Sequence, residues 1–98
     1  MNREEAIDRL KDCAAAVKTR GATALYIFGS TARREARPDS DLDVFVDYDP
    51  AQSFSLVDLA AIKNLLEDRL DVSVDVTTRD SLHPRLRDAI ERSSIRVF

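Results

Sequence analysis

Asp41, Asp43 and Asp75 are the side chains of this sequence best placed to do chemistry. In the run Asp41-Leu42-Asp43-Val44-Phe45-Val46-Asp47, apolar and polar residues alternate. Leu42, Val44 and Val46 therefore point to one face of a strand, and Asp41, Asp43 and Phe45 to the other. Two carboxylates on one face repel each other unless something neutralises them. A divalent cation resolves the conflict, and Mg²⁺ is commonly held by one or two carboxylates, with substrate phosphates and water completing its shell. The same pattern also describes a solvated edge strand whose negative charges oppose aggregation. Asp75 adds weight to the metal. Val72, Val74 and Val76 alternate with Ser73, Asp75 and Thr77, which puts Asp75 on the non-valine face. If the two Asp-bearing strands pair, three carboxylates gather on one patch, the usual complement for two metal ions at an in-line phosphoryl displacement. Asp47, Asp49 and Asp71 fall at strand ends or in turns and read as solvated.

Upstream, residues 22–28 form an apolar, β-favouring run that reads as a strand buried on both faces and ends at Gly29-Ser30. A short helix from Ser30 to about Glu35 is expected next, with Ser30 as its N-cap. Glycine lets backbone approach a ligand closely, and exposed N–H groups beside a hydroxyl suit a phosphate. An ordinary turn followed by a capping serine fits the same two residues.

The elements that must position these groups follow from periodicity. Residues 3–19 place Ile7, Leu10, Ala14 and Val17 on one stripe of a helix, stopped at Thr19-Arg20-Gly21. Arg37-Pro38-Asp39-Ser40 is turn chemistry. Ser55 and Asp58 resemble a capping box opening a helix to about Arg69, with Leu59, Ile62, Leu66 and Leu70 inward. Ser81 to Arg92 reads as a helix with Pro84 in its first turn and Leu86, Ala89 and Ile90 on its buried face. His83 belongs to that helix entry, and Cys13 to the buried stripe of the first helix. The order α-β-α-β-α-β-α predicts an α+β fold: a small mixed three-stranded sheet packed with helices, in one domain over residues 1–98.

Composition narrows the function classes. Ninety-eight residues allow one modest core, and 15 Lys+Arg against 18 Asp+Glu give a net charge of -3, which argues against wrapping nucleic acid by bulk electrostatics. A single cysteine and a single histidine exclude an internal disulfide and a Cys/His zinc site. No apolar stretch approaches the roughly 18–20 residues of a membrane span. Met1-Asn2-Arg3-Glu4-Glu5 is too charged for a secretory leader, so a cytoplasmic location is expected.

Gly29-Ser30, ten intervening residues, Asp41-Leu42-Asp43 and an acid on a later strand together resemble the signature of the polymerase-β-like nucleotidyltransferase superfamily. The length, Arg33-x-Glu35 and Ser40-Asp41 make the chain similar to a minimal nucleotidyltransferase (MNT) domain, the antitoxin half of HEPN–MNT toxin–antitoxin pairs. The resemblance implies that Gly29, Ser30, Arg33 and Ser40 bind the nucleotide. It also implies that Asp41, Asp43 and Asp75 hold two Mg²⁺ ions, with Asp75 completing the metal site or helping to deprotonate the acceptor. Arg33 is expected either to contact phosphate or to pair with Glu35. One departure is visible: the family often reads Arg-Gly-Glu where this chain has Arg33-Arg34-Glu35.

The implied activity is transfer of AMP from ATP to a tyrosine of a HEPN ribonuclease toxin, in a hetero-oligomer with that toxin and without direct contact to nucleic acid. So short a chain has no domain to hold an acceptor, and a partner surface is expected to complete the site. Tyr26, Phe45, Tyr48, Phe54 and Phe98 are the candidates to meet that partner, each otherwise being core. The rival readings are a binding module that neutralises its partner by occlusion and a small-molecule nucleotidyltransferase.

Overall fold

A computed structural model describes residues 1–37 and 39–98; Pro38, expected in a turn, lies outside the described residues. The sheet is built around β1 (Ala22–Phe28), which pairs antiparallel with β2 (Leu42–Tyr48). β2 pairs parallel with β3 (Val74–Thr78) through α4 (Leu56–Leu70), the crossover that a parallel pair requires. A fourth strand, β4 (Ile95–Arg96), joins the other edge of β1 and gives the order β3-β2-β1-β4. The α+β class is as expected, but the sheet has four strands where three were predicted. Two residues are too short a run to show periodicity.

One face of the sheet is closed by helices. Leu25, Ile27, Leu42, Val44, Val46 and Val74 pack against Ala6 and Leu10 of α1 (Arg3–Lys11), Val17 of α2 (Ala14–Thr19), and Ile62, Leu66 and Leu70 of α4. The expected helix over residues 3–19 is thus two helices. The Cys13 amide bonds to the Leu10 carbonyl, three residues back, and this tightened turn re-aims the chain. Cys13 stays in the core at 1% exposed, as expected. Gly21, at φ +106°, ends α2 in the left-handed region, the usual glycine stop.

The Ser55–Asp58 capping box is present in full at the start of α4. At its other end Asp71 adopts a left-handed conformation, and the Glu67 carboxylate accepts from the Val74 amide while bonding Lys63 Nζ. That carboxylate takes up the amide where β3 begins, so the strand spans 74–78 and leaves Val72 in the loop. The Val74 and Lys63 bonds hold the Glu67 carboxyl below its ordinary range.

Beyond β3, residues 79–81 form a short 3-10 turn and α5 spans Pro84–Ser93, not Ser81–Arg92. A residue before proline is biased away from helix, and His83, with ψ 128°, serves as N-cap through a bond from the Arg85 amide to Nδ1. The larger surprise is packing. Leu86, Ala89 and Ile90 were expected to be buried, yet α5 buries none of its residues and Leu86 is 55% exposed.

Candidate active site

The opposite face of the sheet carries the candidate residues. Phe28, the last residue of β1, pairs in register with Asp43 of β2, and Asp43 in turn pairs with Asp75 of β3. Residues opposite each other on neighbouring strands project to the same face. The register therefore sets Phe28, Asp43 and Asp75 in a row across three strands, and Tyr26 and Phe45 form the next row inward.

The chain turns off β1 at Gly29, where φ is +72°. A Cβ at this position would stand 2.5 Å from Asp43 Oδ2, so the missing side chain is what lets backbone and carboxylate lie together. Gly29 opens α3 (Gly29–Ala32), one turn with Phe28 as N-cap. Ser30 is inside that turn and is not the N-cap that the sequence suggested. The turn ends early because Arg34 takes φ 61°, which breaks the helix before Glu35.

Asp43 is half-buried, whereas Asp41 and Asp75 are exposed. Burial pushes the Asp43 carboxyl above its ordinary range, the neighbouring charges of Asp75 and Asp41 push it further, and Arg33 partly opposes them. Asp43 therefore feels the charge of both other acids. Among the described residues, however, no three acid, His or Cys side chains converge on one metal position. The donor set still fits a hard divalent cation. It consists of carboxylate oxygens on adjacent strands, and the half-buried one is made protonation-prone by burial first and by the like charges of its neighbours second.

Arg33 is exposed and bonds Glu35 at 3.1 Å, the pairing anticipated as one of its two roles. Arg34, at the position where the family often has glycine, pairs with Glu4 of α1. Ser40 has a local role: its Oγ accepts from the Arg37 amide at 2.9 Å and its amide donates to the Arg37 carbonyl at 3.0 Å, closing the loop that delivers Asp41.

A cluster that sequence reasoning missed lies on the same face. Asp47, read as solvated, instead accepts two bonds from Arg79, at 2.8 and 3.1 Å, and Glu91 of α5 takes a third at 3.2 Å. The guanidinium also lies 4.9 Å from the Tyr26 ring and 5.1 Å from the Phe45 ring, which stack on each other at 4.8 Å. The Asp47 bonds raise the Arg79 pKa above its ordinary value. Phe45, named as a possible partner contact, is fully buried beneath this cluster. Tyr48 and Phe54 stack on each other at 5.0 Å, and among the described residues the large exposed apolar ones are Leu56, Val57 and Leu86. An acid at the end of a strand gives no sign that an arginine 32 positions away will reach it.

Comparison with known proteins converges on the same region. Residues 10–97 match the family described as the nucleotidyltransferase domain. A candidate protein adenylyltransferase of Methanocaldococcus jannaschii is 40% identical over 78 residues, which cover 80% of this chain and 82% of that protein. The protein adenylyltransferase MntA of Thermococcus cleftensis is 31% identical over 77 residues, covering 79% and 76%. Among solved structures, a candidate minimal nucleotidyltransferase superimposes with a TM-score of 0.83 at 38% identity, over 97% of this chain and 95% of that one. A chain from the complex of a tri-AMPylated Shewanella oneidensis HEPN toxin with its MNT antitoxin shares the fold, with a TM-score of 0.63 at 16% identity, over 90% and 68%. Among the described residues, no helix is long and apolar enough to cross a membrane.

Proposed function

This chain belongs to the nucleotidyltransferase domain family, and from that premise we propose that it is a single-domain protein adenylyltransferase, moving AMP from ATP onto a tyrosine hydroxyl of a HEPN-type toxin and so acting as its antitoxin. The observation that carries the reading is the close approach of the Gly29 backbone to Asp43, which pairs in register with Asp75. Backbone open enough to meet a triphosphate stands directly against a carboxylate pair able to hold the cation that would neutralise one. The names of the relatives, protein adenylyltransferases in two archaea, support a protein acceptor. The fold neighbour bound to an AMPylated toxin supports the partner class.

In this reading Gly29 and Ser30 cradle the phosphates, and Arg33 leaves Glu35 to meet them. Asp43 and Asp75, with Asp41 beside them, would hold Mg²⁺, which supplies charge neutralisation of the triphosphate and polarisation of the phosphorus under attack. The acceptor oxygen bonds to the α-phosphorus, the bond to pyrophosphate breaks in line, and the acceptor proton passes to the exposed Asp75 carboxylate. No covalent enzyme intermediate is needed, so catalysis is positioning and charge stabilisation. Ser40 acts one step removed, by holding the loop that delivers Asp41.

The test is incubation with the co-encoded partner, Mg²⁺ and ATP labelled at the α-phosphate. Label should appear on a tyrosine of the partner, and disappear with chelator and in Asp43→Asn and Asp75→Asn. A partner neutralised equally well by the unlabelled double variant would establish occlusion instead.

A further inference from the structure

Two neighbouring apolar residues at the start of α4 take no part in the core. Among the described residues, Leu56 and Val57 are the most exposed large hydrophobic side chains, at 82% and 74%. Leu59, Ile62 and Leu66 form the inward stripe of the helix. Leu56 continues that stripe by spacing but lies beyond the edge of the core, and Val57 is not on the stripe at all. A lone exposed apolar residue needs no explanation, whereas a contiguous patch marks a place of interaction. This one is contiguous: Leu56 borders a hollow of about 320 Å³ that Tyr48, Phe54 and Leu59 also line.

The patch is held rigidly. Phe54 and Leu59 rest on the core, and the Phe54 ring fills the space beside Gly21, where a Cβ would stand 3.2 Å from it. Tyr48 stacks on Phe54 while its hydroxyl donates to Asp80. The Ser55–Asp58 box fixes the turn that carries Leu56 and Val57. Groups already ordered lose little entropy when a partner arrives.

Charge selects the occupant. Residues 48–62 contain no Lys or Arg. Asp49 follows Tyr48, Asp58 follows Val57, and Asp80 lines the hollow itself. The basic groups of the adjoining cavity are engaged: Arg79 by Asp47 and Glu91, and Arg87 by the Asp80 carbonyl at 3.0 Å. An apolar centre among carboxylates repels nucleic acid and anionic lipid. A second copy meeting this surface about a two-fold axis would bring like acids together. A protein with an apolar cleft bordered by Lys and Arg is complementary in both respects. A ribonuclease, which must hold a polyanion, presents basic surface of that kind.

We infer that Leu56, Val57 and the hollow beside them are the surface by which this chain grips its HEPN-type acceptor, in an apolar cleft of the partner bordered by basic side chains. The inference rests on the toxin-partner reading and adds the place where that partner is held. Tyr48 ends the strand on which Asp43 is the second residue, about 17 Å from the carboxylates. Docking is thus separate from the chemistry, yet within the roughly 30 Å breadth of a standard interface.

Calorimetric titration of the intact protein with its co-encoded partner, without ATP and at low and high salt, tests it. The variants are the Leu56→Ser/Val57→Ser pair and Asp49→Asn, which keeps an oxygen for the Ala51 amide; thermal melts confirm folding. The double variant should bind the partner at least about tenfold more weakly. Asp49→Asn should bind about threefold more weakly at low salt, with the difference gone at high salt. In label transfer the double variant should raise the KM for the partner about tenfold, with kcat at saturating partner and the KM for ATP unchanged. Unchanged partner affinity in the double variant overturns the inference. So does a fall in kcat with affinity intact, which would assign the patch to the chemistry. A wild-type dimer that the double variant dissociates overturns it as well, by giving the patch to a second copy. Binding that the double variant loses, in a wild type that transfers no label, upholds the docking surface and brings down the transferase reading. A wild type that does not bind the partner brings down the toxin-partner reading, and this inference with it.

Discussion

The Gly29 backbone and the Asp43 carboxylate share a space that no other residue at position 29 would leave open, since a Cβ there meets Oδ2 at 2.5 Å. Glycine is required twice at this point, for the contact and for φ +72°. Gly29→Ala should therefore cost about 1–2 kcal/mol of stability, from the left-handed backbone and the collision together. It should also displace Asp43. Thermal denaturation reads the first effect. A label-transfer rate that falls by more than the lost folded fraction reads the second, and a rate equal to wild type would separate Gly29 from the site.

Asp43 weakens the fold that carries it. Its carboxyl is raised by burial and by Asp75 and Asp41, so the folded state holds the proton more tightly than the unfolded chain. Stability from this group is present below the ordinary value of 3.8 and is lost as pH rises through the folded value. Asp43→Asn should accordingly melt above wild type at pH 7, with the gap closing as pH falls toward 3.8. The same variant should lose transfer, and Mg²⁺ should raise the melting temperature of wild type but not of the variant. A variant less stable than wild type at pH 7 would show that burial and like charge together do not penalise the Asp43 carboxylate.

Arg79 joins β2 to α5 through Asp47 and Glu91, and roofs the Tyr26–Phe45 stack. Arg79→Ala leaves Asp47 without its partner and uncovers the rings, at about 2 kcal/mol. Arg79→Lys should recover less than half of this, because an ammonium provides neither the two-pronged bond nor the planar stack. A double-mutant cycle with Asp47→Asn in denaturant measures the coupling, and additivity would deny it.

Arg34 holds φ 61° with a full side chain, and its pairing with Glu4 is between groups 61% and 57% exposed. Exposed pairs contribute little, so relief of backbone strain should dominate. Arg34→Gly is expected to stabilise the protein by up to about 1 kcal/mol. Glu4→Ala alone should be nearly neutral. A destabilised Arg34→Gly in denaturant titration would mean that the ion pair outweighs the strain.

The parts of the molecule legible in the sequence were those fixed by local chemistry. Period-two alternation located β2 and put Asp43 and Asp75 each on the more polar face of its own strand. The Ser55–Asp58 pair marked the start of α4, and Gly21 the end of α2. What stayed hidden depends on partners distant in the chain. Leu86, Ala89 and Ile90 show the spacing of a buried face, but spacing does not say what that face meets. Asp47 looks solvated until Arg79 arrives from beyond β3. Ser30 has the chemistry of an N-cap, yet the left-handed Gly29 starts the turn one residue sooner.

The pairing of Asp43 with Asp75 in a parallel ladder has an evolutionary corollary. Neighbouring strands are held about 4.8 Å apart by peptide hydrogen bonds, whatever side chains they carry. The separation of the two acids at their Cα atoms is thus inherited from the main chain. Mutational drift can rewrite the helices and the surface without loosening this ruler, provided the strands stay in step. A one-residue slip would instead turn one acid to the opposite face. Insertions between Asp43 and Asp75 are therefore tolerable in the loops flanking α4 and ruinous within either strand.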